Sequence, residues 1–206
     1  MREYYIHNIP LFVVDEPDSG VDIGQFCLEA EETLPHALLS NVEVVYIGNF
    51  VALNDRNAMF NDGGIFMTSE EPTSNDMLEN FTHEVAHSLE ARYGMEIYQD
   101  SLVQEFIGKR RKLYHLLAAE GYKVDPKYFM NAEYDAKFDS FLANTVGYPT
   151  LLTLTMGLFA SPYGATSIQE YFANGFEKYF LDDPRTVKSV SPILYRKIEE
   201  IVNDSA

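Results

Sequence analysis

Up to about residue 68 the apolar positions come in short runs rich in Val, Ile, Tyr and Phe; beyond it they recur at helical intervals. The first regime predicts strands over 4–14, 42–48 and 64–68, the last preceded by the turn-forming Asn61-Asp62-Gly63, and a helix over 23–39. A long helix opens at Thr73 or Ser74. Hydroxyl residues stand at its cap, Asp76 follows Thr73 by three, and Glu79 lies in the early turns, where the helix dipole favours negative charge. It is predicted to run to about Tyr93, with Gly94 taking the left-handed position that closes many helices. Further helices are expected over 99–121, 126–144, 148–159, 167–180 and 191–202, and Pro149 is compatible with a first turn. The fold class is therefore α+β, with a small mixed sheet in the N-terminal half, a central helix and a mostly helical C-terminal half.

Turn chemistry is dense only at 16–20, 70–75 and 181–185, and none of these stretches resembles a flexible linker. With 206 residues, that predicts one domain over 1–206. Fourteen Tyr and fourteen Phe supply a large aromatic payload for its core. Against 15 Lys and Arg stand 32 Asp and Glu, a net charge of −17 that repels phosphate backbones and anionic membranes. Nucleic acid is thus not an expected partner, and the acidic surface reads as solvated. Cys27 is the only cysteine, so neither an internal disulfide nor a thiolate cage can form, and a bound metal would need His and carboxylate ligands. The start is too polar for a signal peptide, and the apolar stretch 148–160 is too short to span a bilayer, so a soluble cytoplasmic chain is expected as written.

One motif changes the picture. His83-Glu84-Val85-Ala86-His87 places two imidazoles one helical turn apart on one face, with a carboxylate about 100° round from the first. Two neutral imidazoles can hold a Zn²⁺ ion, which lowers a water's pKa towards ~7, and the adjacent Glu84 is the candidate general base. With 5 His and 19 Glu in 206 residues, HExxH arises by chance in about one such chain in a hundred. Its position in the middle of a predicted helix, behind the apolar Phe81, points further to a metal site. His7, His36 and His115 lack such spacing and read as surface or packing residues.

A catalytic zinc needs a third protein ligand. The chain has no HExxHxxGxxH, because Glu90 stands three residues after His87 and the next His is His115. A Glu on a later helix is the next option. In the segment 161–180, Glu170 is followed by Tyr171, Phe172, Ala173, Phe176, Tyr179 and Phe180, an apolar wall against which a bare carboxylate is costly and a metal-bound one is not. Glu90, Glu177 and Asp182 are alternatives. Glu90 more naturally orients a ligand or meets solvent. The basic run Lys109-Arg110-Arg111-Lys112 reads as a solvated helix face.

At these residues the sequence resembles the anthrax-lethal-factor-like metallopeptidases, a family that includes the Pro-Pro endopeptidases. Its gluzincin pattern is HExxH, then a Tyr, then seven residues later a Glu opening a helix of the type E-aromatic-F-A-x-x-F; here these are 83–87, Tyr163 and 170–176. The resemblance implies a zincin-like catalytic domain with one Zn²⁺ held by His83, His87 and Glu170. It also implies Glu84 as general base, Tyr163 as hydrogen-bond donor to the oxyanion, and metalloendopeptidase activity on a polypeptide substrate. It further implies residues 64–68 as an edge strand for an extended substrate, and the relatives are secreted toxins and surface proteases. The chain departs from the pattern in a long helical insertion over about 95–148 and in Asn174, where relatives often place a second acidic residue. Competing readings are a non-catalytic zinc-binding protein and an acidic interaction protein that keep this fold.

Overall fold

Residues 4–14 form a hairpin rather than one strand. Strands β1 (Arg2–Ile6) and β2 (Ile9–Val13) pair antiparallel, with Ile6 opposite Ile9. His7 takes a positive φ of 54°, which reverses the chain within two residues and matches the twist of the flanking strands. This computed structural model describes residues 1–17, 20–54 and 56–205. Asp18 and Ser19, within the predicted break at 16–20, lie outside the described residues. The chain divides into two compact units, Met1–Arg92 joined by the residues from Val202 on, and Tyr93–Ile201. It is an α+β protein, with its sheet in the N-terminal half and a mostly helical C-terminal half. No described helix is long and apolar enough to cross a membrane.

The first unit holds the mixed sheet. Strands β3 (Val44–Ile47), β4 (Ala58–Asn61) and β5 (Gly64–Met67) join the hairpin in the order β1-β2-β3-β5-β4, with β2, β3 and β5 parallel and β4 antiparallel to β5. Asn61 faces Gly64 across a second two-residue turn, in which Asp62 (φ 45°) and Gly63 (φ 81°) both have positive φ. The predicted turn and the strand after it are therefore in place. The expectation that residues 64–68 form the sheet edge is corrected: β5 lies second, and β4, at four residues too short to show a period in the sequence, takes the edge.

Alternate residues of the strands, among them Ile6, Leu11, Val13, Val45, Ile47, Ile65 and Met67, are fully buried. Each such side chain is worth roughly 1.5–3 kcal/mol. Helix α1 (Ile23–Thr33) buries Ile23, Phe26, Cys27 and Ala30, and Phe26 meets Phe81 of helix α2 (Ser74–Ile97) edge to face. Burial pushes the Cys27 thiol up to about 12, which keeps it protonated and unreactive. α1 stops short of the predicted residue 39 because Pro35 has no N–H to continue it; His36–Leu39 forms a 3₁₀ turn instead. α2 opens as predicted, with the Thr73 hydroxyl accepting from the Asp76 N–H at 3.1 Å. Its end is corrected: Gly94 stays helical and its carbonyl accepts from the Tyr98 N–H, so the helix reaches Ile97. Tyr93 and Ile97, one turn apart, are both buried, and that gain outweighs the ~1 kcal/mol cost of a helical glycine.

The second unit opens with α3 (Asp100–Ala119), close to its predicted span. The predicted helix over 126–144 is broken: a 3₁₀ turn (Pro126–Met130) is followed by α4 (Ala136–Ser140) and a π-helical stretch (Phe141–Val146). Asp125 and Asp135 accept from the N–H groups that start the first two pieces, so capping residues inside the span divide it. Then come α5 (Tyr148–Thr155), α6 (Ile168–Leu181), α7 (Pro184–Val190) and α8 (Pro192–Ser205). α7 was missed at the predicted break, where Asp183 caps and Pro184 takes the first turn.

The basic run on α3 is corrected in its first half: Arg111 and Lys112 are exposed as expected, but Lys109 and Arg110 are not. Lys109 and Arg110 are only 7% and 1% exposed and share the buried face of Leu102, Phe106, Leu113 and Leu117. Lys109 donates to the carbonyls of Leu158 and Val190, both at 2.7 Å, and to the Ser191 hydroxyl at 2.9 Å. Burial lowers its pKa to about 8, since a dry ammonium is disfavoured.

Gly175 lets α6 and α8 meet. A Cβ there would lie 2.3 Å from Leu194 Cδ2 and 3.0 Å from its Cγ, inside van der Waals contact, and Leu194 is fully buried. Gly175→Ala is expected to destabilise the fold by about 1–3 kcal/mol despite alanine's better helix propensity. Urea unfolding checks this, and combining it with Leu194→Ala, which makes room, should recover part of the loss of the two single changes summed.

Candidate metal centre

Met77, Phe81, Val85 and Leu89 recur on α2 at helical spacing and are fully buried. That anchoring fixes the rotation of the helix and leaves His83 and His87 half-buried on another face. Their rings lie 5.0 Å apart, and the two Nε2 atoms are separated by 3.2 Å. Two nitrogens bound tetrahedrally at 2.0–2.1 Å to one ion stand about 3.3 Å apart, so the imidazoles are spaced as ligands of a common metal. His87 Nδ1 meets Glu90 Oε1 at 2.7 Å. With Nδ1–H donating to that carboxylate, the Nε2 lone pair is presented to an ion. Glu90, an alternative third ligand from sequence, thus orients His87. Glu90→Ala should weaken metal binding about 10- to 100-fold while leaving stoichiometry unchanged, as read by titration against a competing chelator.

Glu84 is 9% exposed, and its Oε2 accepts from the Phe60 N–H of β4 at 2.7 Å. An edge strand leaves alternate N–H groups open, and β4 directs this one to the carboxylate of the motif. The edge of the sheet is thereby fixed against the second residue of HExxH. Sequence reasoning had no signal for this bond, because β4 itself was not legible.

Tyr163 begins a 3₁₀ turn (Tyr163–Ala165) that runs into α6. Its carbonyl accepts from the Thr166 N–H and hydroxyl at 2.9 and 2.8 Å. Burial first, and the Glu170 carboxylate second, raise the Tyr163 phenol well above its ordinary value, so it remains a hydrogen-bond donor at neutral pH. Ser167 caps α6 by accepting from the Glu170 N–H at 3.1 Å, which sets Glu170 in the first turn, where the helix dipole favours an anion. Of the apolar wall predicted after it, Tyr171, Phe172, Ala173 and Phe176 are fully buried, while Tyr179 and Phe180 at its far end are half-buried.

Arg110 holds this segment from one side. Its guanidinium donates to the carbonyls of Ala165 (2.8 Å) and Tyr128 (2.9 Å) and to those of Thr166 and Asn131, with its carbon 4.8 and 4.6 Å from the Phe106 and Phe138 ring centres. The signal for it was present: Arg110 falls in phase with the apolar stripe of α3. The remaining candidates are otherwise engaged. Glu177 and Asp182 pair with Lys178 at 3.3 and 3.4 Å. His7 packs on His36 and lies 3.0 Å from the Leu34 carbonyl, and His115 packs on Tyr114.

One donor atom from each of His83, His87 and Glu170 lies within 4.8 Å of the others, a group that could hold a metal ion. Two nitrogens and one carboxylate suit a divalent ion of borderline softness. No family model, curated protein or solved structure matches this chain. The chemistry of the His83, His87 and Glu170 group is therefore the ground on which a function can be assigned.

Proposed function

We propose that the chain is a zinc-dependent endopeptidase with a zincin-like fold, in which His83, His87 and Glu170 hold the ion. The observation that carries this reading is the grouping of a carboxylate 83 residues beyond His87 with two imidazoles whose Nε2 atoms are already spaced as ligands. Three protein ligands are what a catalytic zinc site uses, a fourth position being kept for water or substrate. Zinc in such a set supplies Lewis acidity and brings a water's pKa near neutrality.

The chain's own groups supply the rest. Glu84 takes the proton of the attacking water and passes it to the leaving amine. Tyr163, kept protonated, donates to the oxygen of the scissile carbonyl as negative charge develops on it. The edge strand β4, bonded through Phe60 to Glu84, offers backbone groups along which an extended peptide can lie beside the general base. The likeness of 83–87, Tyr163 and 170–176 to the lethal-factor-like pattern supports the same roles.

A diverse peptide library, incubated with the purified chain and read by mass spectrometry with and without chelator, tests the activity. Internal cleavage that chelator abolishes and zinc restores is expected. A zinc-loaded chain that cleaves nothing would make it a non-catalytic metal protein, and cleavage indifferent to chelator would refute the metal's role.

A further inference from the structure

Asn174 is 5% exposed and stands one helical turn after Glu170. Its Nδ2 donates to the Glu170 carbonyl at 2.9 Å, and its Oδ1 accepts from the Ser161 hydroxyl. Ser161 Oγ in turn accepts from the Gly164 N–H at 3.4 Å, closing a loop of bonds around Pro162 and Tyr163. Gly164 lies flat against this amide: a Cβ there would be 3.6 Å from Asn174 Cβ. The far end of the same turn is held by Arg110 through the Ala165 and Thr166 carbonyls. The turn carrying Tyr163 is thus fastened at both ends, and the near fastening runs to the backbone of Glu170 itself.

We infer that Asn174, acting through Ser161, is a positioning residue that fixes Tyr163 relative to the helix bearing Glu170. The role needs an amide. One group must donate to the Glu170 carbonyl and accept from Ser161, which a carboxylate cannot do, and a buried Asp one turn from Glu170 would add a second negative charge with no donor of its own. The departure from the acidic residue common in the resembling family then has a physical content. This chain uses the position to hold the oxyanion donor in place.

The kinetic part of this inference rests on the proposed peptidase activity; the placement of the turn does not. Ser161→Ala is the cleaner probe, because it breaks the tie without touching α6, and Asn174→Ala and Asn174→Asp accompany it. Hydrogen exchange read by mass spectrometry should rise about tenfold or more over residues 161–166 in all three, with α3 unchanged. With a peptide that the wild type cleaves, kcat should fall about 10- to 100-fold at unchanged KM and zinc stoichiometry. In a Tyr163→Phe background the same substitutions should cost nothing further, because the group they position is already gone. Unaltered exchange over 161–166 would overturn the inference whether or not any peptide is cleaved. A kcat loss that persists in full in Tyr163→Phe would show a general structural role and overturn it too. If the wild type cleaves nothing, the peptidase reading fails, and the exchange result alone decides the placement.

Discussion

Glu84→Gln is expected to retain zinc and lower peptide cleavage by about 10²- to 10⁴-fold, the range that general acid-base groups contribute. The substitution isolates the chemistry because the Gln carbonyl oxygen can still accept from the Phe60 N–H, the bond by which Glu84 meets β4 at 2.7 Å. Geometry at the sheet edge is kept while the ability to take a proton is removed. Steady-state kinetics with zinc analysis on the same preparation checks it. Lost zinc in a folded protein would make Glu84 a structural residue, and near-normal turnover would remove it from the mechanism.

Arg110→Met should cost about 3–5 kcal/mol of stability, the loss expected when a buried charge network loses one partner. Met matches much of the volume between the Phe106 and Phe138 rings, but leaves the carbonyls of Ala165, Thr166, Tyr128 and Asn131 without their donor. Burial lowers the Arg110 pKa to about 10, with Asp135 acting in the opposite direction, and the guanidinium remains charged at neutral pH. Arg110→Lys should recover little, because one ammonium cannot reproduce a planar fork over four acceptors. Urea unfolding monitored by circular dichroism measures both variants. A loss below about 1 kcal/mol in Arg110→Met would mean that these carbonyls find other partners.

What the sequence disclosed followed the strength of its local signals. The HExxH helix was legible because cap, apolar stripe and histidine spacing coincide over 74–97, and its end was misread because Gly94 is locally a stop signal that the burial of Tyr93 and Ile97 overrides. Glu170 stood out because an acidic residue in the first turn of a helix is followed directly by Tyr171, Phe172 and Ala173. β4 and its bond to Glu84 were not, since four residues carry too little period and the contact is set by sheet pairing. Lys109 and Arg110 were assigned to solvent on charge alone, although they lie in phase with Phe106 and Leu113. Periodicity was the better guide there. Asn174 could be flagged as a departure, but its bonds to Ser161 and the Glu170 carbonyl depend on how the 161–166 turn folds back on α6.

The central claim is that His83, His87 and Glu170 together bind one divalent ion, and its most direct test is equilibrium zinc titration of the metal-free chain against a competing chromophoric chelator, alongside His87→Ala and Glu170→Ala. Tight binding of one zinc per wild-type chain, abolished in His87→Ala and strongly weakened in Glu170→Ala, is the expected result. A wild-type chain that takes up no zinc, or a folded Glu170→Ala that binds it as tightly as wild type, would contradict the three-residue site.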